Sequence, residues 1–511
     1  MRALISRSAN STLIVLIVLA TFAGGTRSAR AQFVADPYES SIAMLRQAIT
    51  PQRDGSHLPL LFALRQLRDA GLGGLFQQLV QQANQKEHWP MQVHAVLGLA
   101  EIDPKKQIDP HLIAQVTPEA QEAIIASALD ARLLPDSMLS EVLASDQLTA
   151  MTRLFLLAER QLLKQPLDIQ ELARLSKSDD SHVAGLSAAL LAQNGIAEPL
   201  KSFDTLLAAK PANERLAVTL WLMDGARRYQ LTALSDWIVG AMSQKDADPD
   251  VVYRGTLALL SLDPARGVPA WERYLGDNPS FPHRVRCGTI LLAARSKPPA
   301  SAYDRLLPAA KDEELIARIA DVGKALANNS DPAPALIALL DVGHAKTSLW
   351  AMEYLKEMPT DQSRPVHEYL IDRMNEPKVQ WSEGVGQAVE ATARLFEIDP
   401  DGVLARLSKA EDDSALQQAI LLGLFETTSP RVGEAAAALP RIGSGRADSL
   451  ALLLQAKHAK SLTADQLKQL GTIASGGGRL SEILQVQAAW LYLRHSGKTE
   501  QAIAEVFTRQ Q

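Results

Sequence analysis

From about residue 42 to its end the chain reads as one apolar-periodic helix after another, and this limits the fold more than any other feature. Alanine and leucine dominate, and both are strong helix formers. The alternation of β-branched and aromatic residues that marks half-buried strands is almost missing. A short polar lead from Gln32 to Ser41 precedes roughly 26 to 29 helical segments of about 9–17 residues, joined by turns of about 2–6 residues. Proline punctuates the breaks at Pro104, Pro118, Pro135, Pro264, Pro332, Pro400 and Pro430, and glycine at Gly71, Gly195, Gly276 and Gly497. Proline suits the first position of a helix and glycine the residue past its end, so the punctuation describes tightly joined helices.

Three segments repeat one another. Residues 97–104 read Leu-Gly-Leu-Ala-Glu-Ile-Asp-Pro, residues 257–264 read Leu-Ala-Leu-Leu-Ser-Leu-Asp-Pro, and residues 393–400 read Ala-Arg-Leu-Phe-Glu-Ile-Asp-Pro. Their spacings of 160 and 136 residues correspond to four units of 40 and four of 34. In the first copy Val93, Val96, Leu97 and Ala100 share one helical face; Tyr253, Thr256, Leu257 and Leu260 do so in the second, and Val389, Thr392, Ala393 and Phe396 in the third. In each copy the aspartate is expected to cap a new helix that starts at the proline. Some 13 or 14 helix pairs of about 35 residues fill the chain, a period that points to stacked helix–turn–helix units.

On the helix-pair period, the Ala/Leu pattern and the Asp-Pro junctions, the chain resembles the HEAT-repeat (armadillo-like) α-solenoids over essentially all of residues 32–511. Tetratricopeptide repeats also end helices in Leu-Asp-Pro, but their strict period, with small and aromatic residues at fixed places, is not matched. The resemblance implies an all-α fold: a single elongated α-solenoid of about 13–14 stacked antiparallel helix pairs, a HEAT-like superhelix. It also implies a scaffold or protein-binding role, and it transfers no catalytic residue.

The N-terminus reads as a secretory leader. Arg2 and Arg7 form a positive n-region, Leu13–Ala23 is an apolar run of 11 residues, and Ala29-Arg30-Ala31 supplies an A-x-A site with cleavage expected between Ala31 and Gln32. A membrane span needs about 20 apolar residues, so an uncleaved anchor is the lesser alternative. Residues 1–31 are thus expected to be a cleaved signal peptide, and the mature protein to be exported, periplasmic or extracellular, without stable membrane insertion. Lipid attachment to an N-terminal cysteine is ruled out because the one cysteine is Cys287, which also leaves no internal disulfide. Loss of the leader's four arginines takes the net charge from −6 to −10. An acidic chain without basic runs is ill suited to nucleic acid or to anionic lipid.

Each chemical motif has a plainer reading. Asp246-Ala-Asp-Pro-Asp250 starts like a calcium loop, but Val251 and Leu257 stand where glycine and glutamate are needed. Together with Asp179-Asp180, Asp312-Glu313-Glu314 and Glu411-Asp412-Asp413, it is expected to open a helix with acids that suit the dipole. Gly443-Ser444-Gly445 and Gly476-Gly477-Gly478 lack the strand and the Lys-Ser or Lys-Thr of a phosphate loop, and Ile442 stands where a nucleophile elbow needs glycine. His88 and His94 are six residues apart, too far to share a zinc on one helical face. His182 reads as a helix cap. Cys287, near Arg284 and Arg286, reads as a buried inert thiol. The seven tryptophans (Trp89, Trp221, Trp237, Trp271, Trp350, Trp381, Trp490) fall within apolar helical patterns and read as core before sugar platforms.

No catalytic, cofactor or metal residues are therefore expected. The expected role is an exported, non-catalytic scaffold that binds a protein partner through a concave helical surface. The alternatives are a superhelical all-α enzyme such as a polysaccharide lyase or glycosidase, a glycan-binding protein, and a purely structural envelope component. Far-ultraviolet circular dichroism of residues 32–511 is expected to be strongly helical; appreciable sheet content would contradict the all-α reading.

Overall fold

A computed structural model describes residues 36–82, 88–278, 280–294, 298–307, 313–376, 381–439, 445–477 and 480–508. The leader, Ala31 and Gln32 lie outside these residues. The described chain is all-α, with 29 helices of 5 to 18 residues and no strand. None of these helices is long and apolar enough to cross a membrane.

The helices form two compact units. The first combines residues up to Leu148 with those from His367 onward; the second is Thr149–Val366. The N-terminal arm of unit 1 holds α1 (Pro37–Ile49), α2 (His57–Gln66), α3 (Gly73–Gln82), α4 (Trp89–Ile102), α5 (Pro110–Gln115), α6 (Pro118–Asp130) and α7 (Leu139–Leu143). Unit 2 holds α8 (Ala150–Leu162), α9 (Ile169–Leu175), α10 (Ser181–Gln193), α11 (Glu198–Ala208), α12 (Ala212–Tyr229), α13 (Ser235–Met242), α14 (Pro249–Leu262), α15 (Pro264–Gly276), α16 (Phe281–Ala293), α17 (Ala300–Asp304), α18 (Glu314–Ala327), α19 (Ala333–Asp341) and α20 (Ala345–Leu355). Helix α21 (Thr360–Asp372) spans the division. The C-terminal arm of unit 1 holds α22 (Trp381–Ile398), α23 (Pro400–Lys409), α24 (Ala415–Glu426), α25 (Val432–Ala438), α26 (Arg446–His458), α27 (Ala464–Ala474), α28 (Glu482–His495) and α29 (Thr499–Thr508).

Within each unit alternate helices pack side by side in an inner row, and the helices between them back that row. In unit 2 the inner row runs α8, α10, α12, α14, α16, α18. In unit 1 it runs α22, α24, α26, α28, then α2, α4, α6, so the row passes from one end of the chain to the other. Inner-row helices lie parallel, since equivalent ends touch: Asn194 at the end of α10 donates to Gln161 Oε1 at the end of α8 (3.0 Å), and Arg65 reaches Glu101 from α2 to α4 (2.6 Å). Position in the rows decides burial. Every residue from Val183 to Leu191 on α10 and from Leu416 to Phe425 on α24 is buried, because each helix has two lateral neighbours and a backing helix. The backing helices bury a single stripe, as in α11 with Phe203 and Leu207 and α23 with Val403 and Leu407. Such a dense row needs small residues, and each fully buried leucine within it contributes about 1.5–3 kcal/mol.

Helix starts follow short-range chemistry. Asp36, Asp109 and Asp248 each accept the amide two residues on, and Pro37, Pro110 and Pro249 follow them at the first helical position. Thr463 and Gln466 close a reciprocal capping box on α27. The repeated Asp-Pro junction holds in two of its three copies. α15 starts at Pro264 and α23 at Pro400; Asp399 caps Gly402, whereas Asp263 instead pairs with Arg266. Pro104 starts no helix: the chain turns through Lys106, at φ +50°, and Asp109-Pro110 does the capping six residues later. The spacing is corrected as well. α4 and α14 are five helix pairs apart, so their 160 residues are five units of about 32 rather than four of 40, close to the 34 between the second and third copies.

Close approach at Gly267 fixes the α14–α15 crossing. A Cβ there would sit 2.5 Å from the backbone N and Cα of Leu260, which cannot swing aside. Gly267→Ala is expected to cost about 1–3 kcal/mol in denaturant unfolding. Gly276→Ala at the end of the same helix meets nothing within 4 Å and is expected to be neutral or to stabilise by up to about 1 kcal/mol.

Candidate functional site

Helix α14 packs closely on its two backing helices. Gly255 admits Met242 and Ile238 of α13, and Leu259 and Leu260 receive Gly267 of α15. Asp250, Tyr253 and Arg254, three and four residues apart, share one flank of α14, Asp250 exposed and Tyr253 and Arg254 half-buried. From that flank each side chain reaches sideways along the inner row. Arg254 pairs with Asp224 of α12. Asp250 accepts from Arg286 of α16 at 3.2 Å, and the Arg286 guanidinium lies 4.3 Å from the centre of the Tyr253 ring. Arg284 of α16 pairs with Glu313 at the start of α18. Trp221 shares a flank with Asp224 on α12, and His182 of α10 meets its ring edge-on at 5.3 Å. These contacts join five consecutive inner-row helices into one lane of aromatic rings and balanced charges. Burial holds the Asp224 carboxyl above the usual carboxylate range against the pull of Arg254 and Arg227.

Unit 1 carries a related station. Arg65 binds Glu101 through two hydrogen bonds of 2.6 and 2.7 Å and lies 5.6 Å from the Phe62 ring, whose other neighbour is the edge of His94 at 5.9 Å. Burial, with Arg65 and His57 nearby, pushes His94 down to about 3.

A second cluster lies where inner-row helices of unit 1 end. Lys457 donates to Phe425 O at the end of α24 and lies 4.4 Å from the Phe425 ring. One helix further, Arg494 donates to the carbonyls of Ala456 and Lys457 and to Asp69 Oδ2 (2.5 Å), while His495 Nε2 sits 2.8 Å from Ala456 O. A last-turn cation thus satisfies the orphan carbonyls of the preceding helix. Burial pushes Lys457 down to about 8 and holds Glu426 above its usual range. Beside this cluster lies a cleft of about 180 Å³ lined in part by Gln455, His458, Ser461 and Gln466. His458 Nε2 is buried there without a protein partner, and burial together with Lys457 and Arg494 pushes the ring down to about 4. The cleft is smaller than the several hundred Å³ usual for ligand sites and suits ordered water.

Comparison with protein-family profiles, curated proteins and solved structures finds no match. The chemistry therefore rests on the residues alone.

The residues singled out in the sequence are placed as follows. Asp248 caps α14, Asp180 caps α10 by accepting from His182 N, and Glu313 and Glu314 stand at the start of α18; Asp312 lies outside the described residues. Glu411-Asp412-Asp413 does not cap α24, because Ser414 does; Asp413, at φ +54°, reaches across to accept from Ala447 N of α26 at 2.8 Å. Gly443, Ser444 and Gly478 lie outside the described residues, and Gly476 and Gly477 form the turn after α27. His88 stands at the N-cap of α4 and His94 two turns in; among the described residues no group of three His, Cys, Asp or Glu is placed to hold a metal. Cys287 is buried, and burial pushes its thiol up to about 12 against the pull of nearby Arg286.

Trp271 and Trp490 are core; Trp271 Nε1 donates to Cys287 O. Trp237 bonds Asp204, Trp350 stacks on Tyr354, Trp89 opens α4, and the Trp381 side chain lies outside the described residues. Among the described tryptophan side chains, Trp221 joins the lane. The lane itself escaped the sequence reading, although opposite charges one repeat apart (Asp224 with Arg254, Asp250 with Arg286) carry its signal.

His94, His367 and His458 are all held neutral, with His367 pushed down to about 4 by burial and by Arg394. Because these values lie below the ordinary value near 6.5, the unfolded chain takes up protons first. The stability from neutral burial is complete above about pH 7 and is lost as pH falls from about 6.5 toward 4, at up to about 1.4 kcal/mol per pH unit for each histidine. Urea midpoints are expected to drop steeply between pH 7 and 5, and His367→Asn to remove one share of that slope. A flat profile would contradict this account.

Proposed function

We propose that this chain is an exported, non-catalytic α-solenoid scaffold of the HEAT type that binds a protein partner through a concave helical surface formed by its inner row. The observation that carries this reading is the lane across α10, α12, α14, α16 and α18. Its rings, Trp221 and Tyr253, supply the kind of anchor that dominates protein interfaces. Each is held by a neighbour on the next helix, His182 or Arg286, so little side-chain freedom remains to be lost on binding. Charges along the lane alternate and balance, which favours a partner of mixed charge over a polyanion. Side-by-side helices with contacts one repeat apart are the packing expected of a solenoid.

The test is in-cell cross-linking of the native protein followed by affinity capture and mass spectrometry. One or two dominant partners linked to α12–α16 are expected. Trp221→Ala and Tyr253→Ala each lower their recovery about tenfold or more with unchanged circular dichroism, and Trp350→Ala has no effect. The purified mature chain is expected to begin at Gln32 by intact mass. A clean monomer with no partner that is retained on an envelope polysaccharide would overturn this reading in favour of glycan binding.

A further inference from the structure

Helix α28 belongs to the last 30 residues of the chain, yet its cover comes from the first described helix. α1 packs on α27, α28 and α29 as well as on α2, and α28 packs directly on α2. Ile42, Leu45, Ala48 and Ile49 of α1 are buried, as are Leu61 and Leu64 of α2 and Trp490 of α28. Polar contacts close the same seam. Tyr38 Oη donates to Glu505 Oε2 (3.0 Å), Arg46 reaches Glu505 O and Oε1 (3.3 and 3.4 Å), and Lys498 lies 4.8 Å from the Tyr38 ring. Deeper in, Gln487 Nε2 donates to Ala63 O at 2.9 Å, a buried bond between residues 424 apart in sequence.

We infer that α28 and α1 make one composite repeat, and that docking of these two chain ends is the step that completes unit 1. Two helices cannot bury their apolar stripes alone, and short isolated helices are marginal in water. Until α28 is present, the lateral face of α2 has no cover and α1 has only α2 beside it. Unit 2 is continuous in sequence and meets no such requirement, so it orders first. The N-terminal arm thus stays unsettled until residues 482–495 are present, contrary to the usual order in which the N-terminal part folds first. This inference is independent of the binding role proposed above.

Pulse-labelled hydrogen exchange during refolding of the full chain tests it. Amides of 37–49, 57–66 and 482–495 are expected to gain protection in one common phase, after those of 183–191. Protection of 37–66 ahead of 482–495 would overturn the inference. At equilibrium Gln487→Ala, and the milder Glu505→Gln, are read at the opposite terminus. Protection at 37–49 and 57–66 falls about tenfold for Gln487→Ala and less for Glu505→Gln, with 183–191 unchanged. A loss confined to 482–508 in both variants would equally overturn it.

Discussion

The fold depends on the inability of one helix pair to hide its own apolar surface. A leucine stripe on a ten-residue helix is worth several kcal/mol of burial only if something lies against it, and here that something is the next pair. The rest of the architecture is the consequence. The inner row takes Ala, Gly and Leu because it is covered on several sides. The backing helices take one stripe each and leave their remaining surface to charge.

The same lateral packing organises the polar chemistry. Ion pairs and carbonyl caps join residues about one repeat apart: 30 between Asp224 and Arg254, 36 between Asp250 and Arg286, 32 between Phe425 and Lys457 and 38 between Ala456 and Arg494. Helices of the inner row therefore borrow caps and counter-ions from their neighbours. Pairs at such surfaces add little stability individually. The Arg286 pair has a further effect, since it holds the guanidinium over the Tyr253 ring.

Much of the helical content was legible from local signals, because helix starts are decided within three or four residues. Asp109-Pro110, Asp248-Pro249 and Thr463 with Gln466 behave as their sequences indicate. Asp103-Pro104 fails because two candidate junctions lie six residues apart and only one can follow the turn through Lys106. Asp413 misleads for a related reason: an acid before a helix can as readily serve a neighbouring helix. Inner and backing helices were not distinguishable, since the difference lies in what surrounds them. The lane was hidden because Trp221, Tyr253 and Arg286 look like core or solvated residues until three helices are set side by side. The seam between the chain ends had no local signal at all.

That seam has a topological consequence. In unit 1 the inner row runs through α28 to α2 as it does between any other two members, although some 424 residues of sequence separate the groups that touch there. The order of these helices along the sequence is therefore incidental to the packing of this unit. A chain joined from α29 to α1 by a short linker and opened at another inter-helix turn would present the same set of helix neighbours, so the packing order of this unit is closed where its sequence order is open.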